Sequence, residues 1–337
     1  MLLIGPRYSI NKINPTGGIV VLFENWITFC KKQNINYSII DTNKSNYKNI
    51  IHAYFSILFH IIIKIKKHRQ IFLHGTFKDY LFIAPFAAIL SKILNKKLFL
   101  RKFAGDFDTK FQKSNFLKKT ILSQILKNAE IIFWETKSLV AFGQKFNSKS
   151  IWFPNVRYQT QISPKAQIYS KKFVFISQVR KEKGIDIILK TFKNLDPSYT
   201  IDIYGPLIGY TTEDLKSSNI SYKRALLPEE VLPVLSQYDM LILPSFREGY
   251  PGIILEAFSI GVPTIATKVG GIPEIIQNGI NGILIDSPDV NLLKIAIQSI
   301  DESSFSLLKK NALNSFEQFD AEKINKKILS LILQSNE

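Results

Sequence analysis

Two glutamates eight positions apart, Glu248 and Glu256, stand in the run SFREGYPGIILEAFSIG, with Gly249, Pro251, Gly252 and Ile253 between them. Glycines at 249 and 252 let backbone N–H groups come close to a ligand. A helix opening near Pro251 would aim its free N–H groups and the positive end of its dipole at an anion. Glu248 then lies in the turn and Glu256 in the first turns of the helix. Together they suit an extended ligand with an anionic part, one carboxylate reaching its neutral head and the other its middle or tail. His52, His60 and His68 fall in helical context without a partnering cysteine or carboxylate cluster, so no metal site is expected.

The elements that must position these residues alternate along the whole chain. In the first half, strand-like runs stand at 2–5, 35–40, 70–74, 97–101 and 130–134, with helix-length segments such as 18–33, 80–94 and 115–128 between them. The second half repeats the scheme with runs at 173–177, 199–204, 220–223, 240–244, 263–267 and 282–285. Short apolar strands alternating with helices predict α/β domains with parallel sheets covered on both faces. A length of 337 residues suits two doubly wound, Rossmann-like domains. The expected division is 1–160, 161–310 and a closing helix at 311–337 that crosses back to the first domain. The join is placed near 153–167, which holds Pro154 and Pro164 and lacks periodicity. In such sheets ligands sit beyond the carboxyl ends of the strands, and strand MLILP followed by turn SFREGYPG is such a place.

Charge divides the chain more sharply than its total of +17 suggests. Residues 1–165 carry 26 Lys and Arg against 7 Asp and Glu, whereas residues 166–337 carry 18 against 20. An anionic partner for the first half is implied: a membrane surface, a phosphorylated substrate or nucleic acid. The single cysteine, Cys30, excludes an internal disulfide framework and suits a reducing compartment. The N-terminal segment has no basic stretch followed by an apolar run and a cleavage site, so no secretory signal is expected. The longest uncharged apolar run, residues 50–63, falls short of the ~18–20 residues that span a bilayer. A cytoplasmic protein, peripheral on the inner face of the membrane, is the expectation.

The segment PSFREGYPGIILEAFSIGVPTIATKVGGIPEII, continued by NGINGILI, resembles the retaining glycosyltransferases of family 4, the glycosyl transferases group 1, which have the GT-B fold and a Glu-x7-Glu motif. Gly17–Gly18, FPN at 153–155 and KGIDIILKTF at 183–192 agree with that family in chain order. The resemblance covers nearly all of 166–300 and only isolated motifs of the first half. It implies two domains facing across a cleft, the second holding a UDP- or GDP-sugar donor and the first a glycan or lipid-linked acceptor of surface polysaccharide synthesis. It implies that Glu256 bonds the donor's ribose hydroxyls and that Glu248 contacts the sugar. Backbone N–H groups around Gly249, Gly252 and Ile253, with Gly17 and Gly18, would hold sugar and diphosphate. A carboxylate is a double acceptor suited to vicinal diols. Lys183 fits the family's cationic position on the diphosphate. The usual Gly-Arg position holds Ser177–Gln178 instead, so that either Arg180 takes over from a shifted loop, which is favoured, or Lys183 works with less help. His74, ending the strand QIFLH, resembles the cleft histidine that contacts the transferred sugar, and Asp106 in AGDFD is a candidate for the acceptor. No cofactor and no metal are implied. An epimerase or phosphorylase of the same fold would carry much the same motifs. A basic nucleic-acid- or membrane-binding protein without transferase activity is the alternative from another class. Nucleic acid is disfavoured, because no zinc finger, helix-turn-helix or aromatic RNA-binding signature is present.

Overall fold

The computed structural model describes residues 1–9, 18–103, 106–162 and 168–335. The chain divides into two compact units, one of residues 1–155 with 322–337 and the other of residues 156–321. In the first unit, six parallel strands are β1 (Leu2–Gly5), β2 (Ser38–Asp41), β3 (Gln70–Gly75), β4 (Lys97–Lys102), β5 (Ile131–Trp134) and β6 (Ser150–Trp152), in the order β2-β1-β3-β4-β5-β6. Leu2–Ile4, Ile71–Leu73, Leu98–Leu100 and Ile131–Trp134 are buried on both faces. That is why these strands read as continuous apolar runs without alternation. Helices connect them, several opened by a polar cap: Asn49 accepts from the His52 N–H at 2.8 Å, and Asn115 from the Lys118 N–H at 3.1 Å. The closing helix, Ala321–Gln334, packs with this unit, where Gln70 Nε2 donates to the Ile332 carbonyl at 2.7 Å and Lys32 pairs with Glu322 at 3.1 Å. Strand β6 is the one strand of this unit absent from the sequence reading. It is three residues long, begins with Ser150 and is flanked by polar NSK, so it carries neither alternation nor an apolar run.

The second unit holds β7 (Lys172–Ile176), β8 (Thr200–Tyr204), β9 (Ile220–Tyr222), β10 (Met240–Leu243), β11 (Thr264–Thr267) and β12 (Gly282–Ile285). All are parallel, in the order β12-β11-β10-β7-β8-β9. From β7 the chain winds outward one way through β8 and β9, then returns to start β10 on the other side and winds the opposite way. The reversal between β7 and β10 opens a crevice at their carboxyl ends, where two successive loops diverge. Lys183 follows β7 and Glu248 follows β10, so topology alone places both at this crevice.

Candidate active site in the second unit

Beyond Leu243 the chain turns through residues 244–251 and enters the helix Gly252–Ser259, capped at Pro251. This helix buries Ile254, Leu255, Ala257, Phe258 and Ser259, which leaves Gly252, Ile253 and Glu256 as its solvent-reachable stripe. Positions i, i+1 and i+4 share one face, and the first N–H groups of a helix have no partner within it. The stripe therefore offers donors at its start and a carboxylate one turn on.

Two neighbouring loops lock the turn in place, and glycine is required where they meet it. Gly184 has φ +79°, and a Cβ there would collide with the Pro244 carbonyl, so the loop after β7 lies directly on the loop after β10. The Phe246 N–H donates to the Glu182 carbonyl at 3.0 Å across the same seam. From the other side, Gly270 has φ +58° and presses on the Glu248 carbonyl, while the Gly271 N–H donates to the Gly249 carbonyl at 2.6 Å.

Within this frame the two glutamates are each held by one cation. Glu248 Oε1 accepts from Lys183 Nζ at 2.6 Å and from the Ser245 hydroxyl at 2.7 Å, and its side chain is only 8% exposed. Glu256 Oε1 accepts from Arg157 Nε at 2.7 Å. Both carboxylates thus keep Oε2 without a bond among the described residues, an acceptor available to a ligand hydroxyl. Arg157 is held in turn by its contact with the Val156 carbonyl at 3.0 Å and lies against Gly252, where a Cβ would strike its guanidinium. Sequence reasoning missed Arg157. It sits in an irregular segment 99 positions before Glu256, with no local signal, and Gly252 opposite it reads in sequence as making room for a ligand, not for a guanidinium. Arg180 bonds Glu182 at 2.9 Å in an exposed position.

The remaining candidates belong to the first unit. Gly18 opens the helix Gly18–Lys32 with open space around it, and Gly17 lies outside the described residues. His74 is fully buried, and its ring packs 4.0 Å from the Phe72 ring and 4.9 Å from the Phe23 ring. Neither ring nitrogen has a hydrogen-bond partner among the described residues. Burial, and then the neighbouring Arg101 guanidinium, hold its pKa well below the usual histidine range, so the imidazole is neutral at pH 7. Asp106 pairs with Lys110 at 2.9 Å. The expectation of no metal passed over one spacing, Asp106-x-Asp108, whose second carboxylate accepts from the Thr109 N–H at 2.7 Å. Among the described residues no three His, Cys, Asp or Glu side chains gather as a metal-binding group. No described helix is long and apolar enough to cross a membrane.

The chain is similar to known proteins in sequence and in fold. Residues 159–318 match the family described as glycosyl transferases group 1. An uncharacterized 41.2 kDa protein in the cps region of Klebsiella pneumoniae is 27% identical over 77% of this chain and 78% of its own length. N-acetyl-alpha-D-glucosaminyl L-malate synthase of Bacillus anthracis is 32% identical over 46% of this chain, which spans less than half, 43%, of that relative. Among solved structures, HepE of Anabaena in complex with UDP superposes over 99% of this chain and all of its own, with a TM-score of 0.76 at 15% identity. Sucrose-phosphate synthase of Thermosynechococcus elongatus covers 99% of this chain and 98% of its own, with a TM-score of 0.77 at 15% identity. Residues 159–318 thus match the glycosyl transferases group 1 family, and the chain has the GT-B fold along its length.

Proposed function

We propose that this protein is a retaining glycosyltransferase of family 4 that moves a sugar from a nucleotide-sugar donor, UDP-linked before GDP-linked, to a glycan or lipid-linked acceptor. The observation that carries this reading is the pair of caged carboxylates at the β7/β10 crevice, each with one oxygen held and one open, beside the start of the helix Gly252–Ser259. Glu256 accepts from the ribose hydroxyls and Glu248 from hydroxyls of the sugar. The N–H groups at Gly249, Gly252 and Ile253 and the Lys183 ammonium receive the diphosphate. Arg180 joins them by leaving Glu182, an exposed pair that holds it weakly. In the reaction the bond from the anomeric carbon to the diphosphate oxygen breaks, and a bond to an acceptor hydroxyl forms on the same face. The hydroxyl proton passes to the departing diphosphate, and no metal ion takes part. His74 and Asp106 are assigned to the transferred sugar and to the acceptor. HepE was solved with UDP, and a relative lies in a cps region, which supports a uridine donor and a role in surface polysaccharide synthesis.

A thermal-shift panel of UDP-, GDP- and ADP-sugars tests the donor. A ligand at 100 times its dissociation constant adds about 2.7 kcal/mol of stability, so the cognate nucleotide stands out and the others leave the melting temperature unchanged. With the donor known, NMR of the product's anomeric proton is expected to show the donor's configuration, at a rate that EDTA leaves unaltered. Inversion, or loss of activity in EDTA, would overturn the mechanism.

The contact between Gly252 and Arg157 makes a second expectation. Gly252→Ala forces the guanidinium off Glu256, as Arg157→Ala removes it, and either leaves the carboxylate unpositioned. Each change is expected to weaken UDP binding by about 1 kcal/mol, or roughly fivefold. Because both act through one contact, the double variant loses no more than the worse single one in titration calorimetry.

A further inference from the structure

The helix Ile50–Ile65 of the first unit is apolar on two opposite sides. Ala53, Ile57, Ile61 and Ile65, four residues apart, are fully buried against the sheet. Ile51, Phe55, Phe59 and Ile63, offset from them by two positions, are 66%, 73%, 60% and 46% exposed. An offset of two residues is about 200° around a helix, so the second stripe points away from the core. Isolated exposed apolar residues are ordinary on soluble proteins, but a contiguous stripe marks an interaction surface.

The surface continues onto neighbouring helices. The rings of Tyr54 and Phe82 meet at 5.5 Å, and Phe82 is 58% exposed. On the helix Ala84–Ile93, Ile89 and Ile93 face solvent one turn apart. Between this helix and the helix Phe116–Asn128 runs an apolar groove of about 360 Å3, lined by Pro85, Ile89 and Ile121, with Lys92 at its side. Phe116, at the start of the third helix, is 87% exposed.

The charge on these helices identifies what covers them. None of the three contains an aspartate or glutamate. Lysines stand at the ends and between the apolar residues, with Lys66, Lys67, Lys92, Lys113, Lys118 and Lys127 all exposed. Lys64 is not among them, since its ammonium donates to the Ile39 carbonyl at 2.8 Å. A second copy of the chain would bring like charges together, whereas a surface that is apolar inside and anionic at its rim matches both features. At 16 residues, about 24 Å, the helix Ile50–Ile65 is too short to cross the ~30 Å hydrocarbon layer but long enough to lie in its boundary.

We propose that the outer face of the helices Ile50–Ile65, Ala84–Ile93 and Phe116–Asn128 is a membrane-docking surface, with Phe55, Phe59, Ile89, Ile93 and Phe116 entering the headgroup layer of an anionic bilayer and the lysines meeting lipid phosphates. None of these residues is among the candidate donor residues, and the proposal does not depend on the transfer chemistry.

The test is co-sedimentation of the full chain with vesicles of phosphatidylcholine containing roughly one third phosphatidylglycerol, against phosphatidylcholine alone. Wild type is expected to bind the anionic vesicles and to be released as NaCl rises from ~50 to ~500 mM. Phe55→Ser with Phe59→Ser, and separately Lys66→Glu with Lys67→Glu, are each expected to weaken binding at least about tenfold. All four side chains are exposed, so circular dichroism and melting temperature stay those of wild type. No binding to anionic vesicles, or binding that both double variants retain, overturns the proposal. So does a dimer in sedimentation velocity that Phe55→Ser with Phe59→Ser dissociates, because the face then joins two copies. Failure of UDP to stabilise the protein would sink the donor reading and leave the vesicle result standing.

Discussion

Lys183→Ala is expected to lower kcat by about 10²- to 10³-fold while changing the donor KM far less. The ammonium stands 2.6 Å from Glu248 in a crevice where the two side chains are 21% and 8% exposed. In the free protein it neutralises that carboxylate. In the proposed reaction it also meets the charge growing on the diphosphate as the glycosidic bond breaks, and an interaction that strengthens towards the transition state appears in kcat. The substitution has a second consequence that separates the two roles. Without Lys183, Glu248 keeps only the Ser245 hydroxyl as a partner, and a carboxylate so enclosed without its cation costs about 1–3 kcal/mol of stability. Lys183→Ala combined with Glu248→Gln removes that uncompensated charge. The double variant is expected to regain most of the lost melting temperature and none of the turnover. A Lys183→Ala enzyme with undiminished kcat would show that the pair serves structure alone.

The sequence made most of this site legible because its parts are local. A strand, a glycine turn and a helix with a carboxylate one turn in are consecutive in the chain, and the parallel sheet turns that order into position. All six strands of the second unit appear where apolar runs stand. Contacts made by folding left no such trace. Arg157 reaches Glu256 from 99 positions away, and Gly270 meets Glu248 because β10 and β11 are neighbours in the sheet. Arg180, favoured because it lies just after the family's Gly-Arg position, is paired with Glu182, a contact that the resemblance gives no reason to expect. The helix Ile50–Ile65 shows the limit of periodicity. Its apolar residues surround the axis, and only packing tells which stripe the sheet takes and which is left to solvent.

Glu256→Ala is expected to weaken free UDP and the UDP-sugar alike, by about 1.5–3 kcal/mol, or roughly 10- to 150-fold in dissociation constant. Glu248→Ala is expected to leave free UDP untouched and to weaken only the sugar-bearing donor. The division follows from where the carboxylates lie. Glu256 is on the helix stripe one turn beyond Gly252 and Ile253, and Arg157 holds one oxygen while the other has no bond among the described residues. A ribose diol bonded there is present in nucleotide and nucleotide sugar equally, and its loss leaves hydroxyls unpaired in both. Glu248 is in the turn before the helix, paired with Lys183, and in the proposed binding mode its open oxygen takes the sugar and not the nucleotide. Removing it spares every contact that the nucleotide makes. Calorimetric titration of both variants with UDP and with the donor gives four affinities, and their pattern is the test. Equal loss of UDP affinity in both variants would mean that the carboxylates act as one charge on the ligand, with no separate positions for ribose and sugar.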